Sequence, residues 1–187
     1  SSGYLQCAQV LQHPRHAEVF GEALAQRVQG WSPGLVMSPA IGGLIIGHEV
    51  ARALNVRAIF AERHDGQLTL RRGFSFLEGE RVVIIEDVVT TGKSTQETIN
   101  LARHNGAVVV GAAAIIDRSG GNIDLGLEFE ALASVQWPTH EPTNCPLCLD
   151  GMVITAVIRS PASASSSRRA IAGMAVSSPT ITQRSMS

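Results

Sequence analysis

The stretch Arg81 to Thr95, RVVIIEDVVTTGKST, limits what this chain can fold into more than any other segment. Val82 to Ile85 form a short apolar run, as expected of a strand buried on both faces. Two adjacent acids, Glu86 and Asp87, close the run, and a hydroxyl-rich turn follows, Thr90-Thr91-Gly92-Lys93-Ser94-Thr95. The pattern then turns helical over 94–105, with Ser94 and Glu97 spaced as a capping box and Gly106 as a stop. A buried strand that feeds a helix through a tight turn calls for a layered α/β fold. Acids at the carboxyl end of a strand suit ribose hydroxyls. A glycine-containing turn at a helix N-terminus suits a phosphate, because free N–H groups and the helix dipole both favour an anion. One element therefore offers a grip for both parts of a ribose phosphate. A Walker A loop is excluded despite Gly-Lys-Ser, because that motif needs a glycine where Asp87 stands.

The rest of the chain repeats the alternation. Residues 14–29 have helical spacing through Ala17, Phe20, Leu24 and Val28, with Pro14 suited to the first turn. Further strands are expected over 35–37, 56–61, 107–116 and 131–135, a helix over 42–54, and a short hairpin arm within 68–76. Strands alternating with helices imply parallel βαβ units, which bind ligands at the carboxyl ends of their strands. Residues 1–159 read as one domain. Residues 160–187 are rich in Ser and Ala without a sustained period and read as a disordered tail.

Charge narrows the partners. The net charge is −1, but the tail carries Arg168, Arg169 and Arg184 and no acid, which leaves −4 on residues 1–159. A mildly acidic body argues against nucleic acid as a partner. No apolar run approaches the ~20 residues of a membrane span, and no signal peptide is recognisable, so a cytoplasmic location is expected. Three cysteines do not make a disulfide framework. Lys93 is the only lysine, so anion binding elsewhere must use arginine, histidine or backbone N–H groups.

Two acids, two apolar residues and Thr-Thr-Gly resemble the phosphoribosyl-pyrophosphate (PRPP) loop of the type I phosphoribosyltransferases. Five other pieces resemble the orotate branch of that family: YLQCAQVLQHP at 4–14, SPAIGG at 38–43, FAERHDGQLTLRRGF at 60–74, IIDRSGG at 115–121 and PTHEPTNCPLCLDG at 138–151. The resemblance covers residues 4 to about 155. It implies a central, mostly parallel sheet flanked by helices, with the N-terminal hood of the family truncated. It also implies transfer of ribose 5-phosphate from PRPP to orotate. The products would be orotidine 5′-monophosphate and pyrophosphate, a step of pyrimidine synthesis. Alternatives are a purine or other nucleobase phosphoribosyltransferase, or a regulatory protein that keeps the PRPP fold without turnover.

The resemblance assigns roles to particular residues. Glu86 and Asp87 would bind the ribose hydroxyls and favour the cationic transition state. Val88, Val89, Thr90, Thr91, Gly92, Lys93, Ser94 and Thr95 would wrap the 5′-phosphate. Ala40, Ile41, Gly42 and Gly43 would approach the pyrophosphate with backbone only, because Gly42 stands where many family members have lysine. Arg63 would act from a mobile loop over 62–73 that closes near the neighbouring subunit of a homodimer. His64, Arg71 and Arg72 fit that role less well. Thr90 and Arg118 would face the orotate. Magnesium would enter mainly through PRPP and pyrophosphate, with no metal held by protein ligands alone. Cys145 and Cys148 form a single C-x-x-C. His140 and Cys7 would have to complete a zinc site, whereas structural zinc normally shows a second pair.

Overall fold

The computed structural model describes residues 4–136, 153–156 and 180–182. His140, Cys145, Cys148 and most of 160–187 lie outside these residues. In chain order the elements are β1 (Tyr4–Leu5), α1 (Ala8–Leu11), α2 (Pro14–Val28), a short 3-10 turn (Gln29–Trp31), β2 (Leu35–Pro39) and α3 (Gly43–Leu54). Next come β3 (Arg57–His64), β4 (Gln67–Leu70), β5 (Arg81–Val89), α4 (Lys93–His104), β6 (Val108–Asp117) and β7 (Phe129–Ser134). The last are β8 (Val153–Ala156) and β9 (Thr180–Thr182). Thus three residues of the segment read as a disordered tail form a strand.

Six strands make the main sheet, in the order β4-β3-β2-β5-β6-β7. Every pairing in it is parallel except the β3–β4 hairpin. A second sheet pairs β1 with β8 in parallel and β8 with β9 antiparallel. This is the α/β architecture that strand–helix alternation implies.

The core divides by the two-residue period of β5. Val83 and Ile85 pack with Phe20, Leu24 and Val28 of α2 and with Ile46 and Val50 of α3. Val82 and Ile84 pack on the opposite side with Ile99 and Ala102 of α4. All four β5 side chains are fully buried, and burying an aliphatic side chain of this size is worth roughly 1.5–3 kcal/mol. The N-terminal segment joins the first cluster through Leu5, Cys7, Val10 and Leu11.

Two boundaries differ from the sequence reading. Strand β5 does not stop at the acids but runs on to Val89, because Glu86, Val88 and Val89 still pair with β6. The hairpin arm expected within 68–76 is β4, which starts one residue earlier, at Gln67, and stops at Leu70. Arg63 pairs with Leu68 and His64 with Gln67, around a two-residue turn of Asp65 (φ 51°) and Gly66 (φ 81°). Two positive φ values in a row match a type I′ turn, for which Asp-Gly is a preferred sequence.

Candidate active site

At the carboxyl end of β5 lies a cavity of about 280 Å³, lined by Arg63, Glu86, Val88, Val89 and the turn Thr90–Thr95. Gly92 holds φ 72° at the N-cap of α4, a conformation that glycine adopts without strain. Its missing side chain matters as well. A Cβ there would come within 2.4 Å of Ile123 Cδ1 and 3.2 Å of Leu125 Cδ2. The turn therefore rests on the segment that follows β6. Gly92 has no side chain with which to cap α4, and the Lys93 N–H makes only a long 3.4 Å contact with Thr91 Oγ1, so the N-terminus keeps the anion-binding character of a largely open helix end.

The expected capping box does not form. Helix α4 begins at Lys93, which puts Ser94 inside the first turn rather than ahead of it. The Ser94 hydroxyl hydrogen-bonds to Glu86 instead, and Glu97 pairs with Arg63. Lys93 is exposed, and its N–H makes only a 3.4 Å contact with Thr91 Oγ1.

Glu86 and Asp87 are neighbours in sequence but point to opposite faces of the sheet. Glu86 shares the α4 face with Val82 and Ile84 and lines the cavity. It is 6% exposed, and burial followed by the adjacent Asp87 charge pushes its pKa up to about 8. Hydrogen bonds from Ser94 and from the Asp87 N–H oppose that shift. Asp87 shares the other face with Val83 and Ile85 and abuts Gly42. Burial raises its pKa too, against hydrogen bonds from the N–H groups of Val88 and of Asp87 itself. The Cys7 thiol lies beneath, 3.9 Å from the Asp87 carbonyl oxygen, and its own pKa is pushed up by burial and by Asp87.

The Ser38–Gly43 turn joins β2 to α3 beside this strand end. Its glycines do not serve through backbone freedom, since Gly42 has φ −57°. They serve because they lack a Cβ. At Gly42 a Cβ would lie 2.6 Å from Asp87 Oδ1, and at Gly43 it would lie 2.9 Å from the Ile85 carbonyl oxygen. Ala40 donates its N–H to the Ala61 carbonyl (2.7 Å), and Ile41 is 84% exposed at the rim.

Arg63 lies near the tip of the β3–β4 hairpin and lines the cavity of its own chain. Its Nη1 donates to the Gly66 carbonyl (2.9 Å), and its Nη2 donates to the Glu97 carboxylate. Sequence reasoning missed Glu97 in this role, because a pairing across 34 residues has no local signal. Arg71 and Arg72 turn to Glu62, at 3.9 and 3.0 Å, and Arg72 also stacks over Phe60. His64 sits 3.1 Å from Asp65 at the hairpin tip.

Arg118 follows β6, and its N–H donates to the Val89 carbonyl (2.7 Å), which ties the start of the 118–127 segment to the end of β5. Burial lowers the pKa of its guanidinium. Asp117 caps this segment by accepting the Ser119 N–H at 2.7 Å. Among the described residues, no group of three or more His, Cys, Asp or Glu side chains is placed to hold a metal ion.

The phosphoribosyl transferase domain family matches residues 6–125 of this chain. An orotate phosphoribosyltransferase of Caldanaerobacter subterraneus is 49% identical over 152 residues, covering 81% of this chain and 80% of that protein. The chain belongs to the orotate phosphoribosyltransferases. Another such enzyme, from Thermotoga maritima, is 46% identical, with 81% of both chains covered. The fold agrees with solved members of the wider family. Mycobacterium tuberculosis orotate phosphoribosyltransferase in complex with PRPP superposes with a TM-score of 0.60 at 20% identity, over 70% of this chain and 80% of that one. An adenine phosphoribosyltransferase of Thermoanaerobacter pseudethanolicus gives the same TM-score at 21% identity, over 67% and 84%. Folds this alike serve different bases, so the base assignment rests on the closer sequence matches. Like its relatives, the chain is a glycosyltransferase of the pentosyl class. No helix among the described residues is long and apolar enough to cross a membrane.

Proposed function

We propose that the cavity at the end of β5 takes the 5′-phosphate of PRPP and that Glu86 and Asp87 flank the ribose, for transfer to orotate. The observation that carries this reading is a buried carboxylate in the wall of a cavity that Thr90–Thr95, at the N-terminus of α4, share with Arg63, Val88 and Val89. The open helix end and threonine hydroxyls suit a phosphate dianion. Breaking the C1–oxygen bond sends an electron pair out with pyrophosphate and leaves positive charge on the ribose. Two acids at that point stabilise the charge as it develops. Burial and the Asp87 charge raise the Glu86 pKa to about 8, which favours its protonated form near neutral pH. A cationic ribose, or a metal ion bound to PRPP, favours ionised Glu86 and reverses that.

Magnesium fits this donor set. It takes one or two carboxylates together with substrate phosphates rather than a full protein cage. Glu86 and Asp87 would be the carboxylates available to it. When bound, it neutralises charge on the departing pyrophosphate. Ala40 to Gly43 would lie along that pyrophosphate, and Arg118 and Thr90 would face the orotate. Arg63 would approach the phosphates. We further propose a cytoplasmic homodimer with the 62–73 hairpin near the neighbouring site, as the family resemblance implies, and with Arg63 itself at the cavity of its own chain.

A turnover assay with PRPP and magnesium tests the reading against orotate, uracil, adenine, guanine and hypoxanthine. Orotate should be consumed and pyrophosphate released in equal amount. Consumption of a purine but not orotate would reassign the acceptor. PRPP binding without any turnover would favour a regulatory role.

A further inference from the structure

We propose that Glu97 is a positioning residue for PRPP binding: it holds the guanidinium of Arg63 at the rim of the phosphate cavity. The inference rests on reading that cavity as the PRPP site. Arg63 separates two spaces. On one side is the cavity walled by Glu86 and Thr90–Thr95. On the other is a groove of about 470 Å³ between the hairpin and α4, lined by Gly66, Gln67, Leu68, Asn100, Leu101 and His104, with Glu97 in its wall. An arginine side chain left free there has the groove to swing into.

Two contacts prevent that. The Glu97 carboxylate takes Nη2, and the Gly66 carbonyl takes Nη1 at 2.9 Å. A guanidinium carries five N–H donors, so three remain for an incoming phosphate. The side chains of Arg63 and Glu97 are 47% and 32% exposed, and a pair this exposed adds little to stability. Its effect falls on order. A long side chain fixed before the substrate arrives does not have to be fixed by it. The placement is economical as well, because Glu97 stands one turn into the helix whose first residues form the phosphate turn. The helix therefore carries both the phosphate turn and the anchor for the arginine opposite it.

The test is steady-state kinetics of the full chain with varied PRPP at saturating orotate and magnesium, for Arg63→Gln, Glu97→Gln, Glu97→Asp and the double variant R63Q/E97Q. Arg63→Gln should raise KM for PRPP by tenfold or more, roughly the loss of a charge-assisted phosphate contact. Glu97→Gln should raise it about fivefold with kcat within about twofold, as expected for lost preorganisation. Glu97→Asp, which keeps the charge but shortens the reach, should change KM in the same direction. The double variant should match Arg63→Gln alone, with thermal midpoints unchanged throughout. An unchanged or lowered KM in Glu97→Gln would overturn the inference, as would effects that multiply in the double variant. If Arg63→Gln itself bound PRPP normally, the assignment of Arg63 to PRPP would fall with it.

Discussion

The two turns at the strand ends look alike in sequence and differ in build. Thr90–Thr95 wraps an open cavity and contains a glycine at φ 72°. Ser38–Gly43 also contains glycine, but Gly42 has ordinary helical φ, and a side chain there would strike the Asp87 carboxylate. The first turn is shaped to surround an anion. The second is trimmed so that an acid can stand beside it. A glycine-rich turn at a helix start is thus one sequence pattern with two physical causes, and only the surroundings separate them.

The largest effect should come from the acid that stands beside the second turn. Asp87→Asn should lower turnover on the order of a thousandfold while leaving the fold intact, since it removes charge facing a developing cation. Single-turnover kinetics together with circular dichroism would check this, and near-normal turnover would remove Asp87 from the chemistry. Glu86→Gln should separate stability from function. With its folded pKa at about 8 against an ordinary 4.5, the folded state retains a proton that the unfolded chain has lost. Stability of the ligand-free protein should therefore fall as pH rises between those two values. The full cost should be on the order of a few kcal/mol above pH 8. The glutamine variant should lack this decline and melt at a higher temperature at pH 8, while losing turnover. Parallel thermal melts from pH 5 to 9 would show it.

The smallest effects should divide the glycines. Gly92→Ala should destabilise the protein by about 2 kcal/mol, because a strained φ adds to a clash with Ile123. Gly42→Ala keeps an unstrained φ but brings its Cβ within 2.9 Å of Asp87 Cγ, so the Asp87 side chain must shift, at a cost of about 1 kcal/mol. Its clearer mark should be a shift in PRPP affinity. Chemical denaturation with a binding titration would rank the two, and equal losses of stability would erase the proposed difference between the turns.

Much of the framework could be read from the chain because it depends on local patterns. Apolar runs at 82–85 and 107–116 can only be buried strands once helices flank them, and Pro14 and Asn105-Gly106 mark helix ends. The opposite facing of Glu86 and Asp87 also follows from the two-residue period, once the strand is known to continue through them. The Asp65-Gly66 turn carries its own signal, a dipeptide preferred where two positive φ values follow each other. The Arg63–Glu97 pair and the contact between Gly42 and Asp87 had none. They arise where β3, β5 and α4 meet, and no spacing within one segment encodes that.

The contact between Gly92 and Ile123 bears on redesign. The segment that begins with Arg118, proposed to face the acceptor base, also forms the floor under the donor's phosphate turn. Anyone who rewrites residues 118–127 to accept a different base is also editing the support of the turn that holds PRPP. Libraries that vary this segment freely should lose donor grip more often than they change acceptor choice, unless Ile123 and Leu125 are kept while the residues around Arg118 are varied.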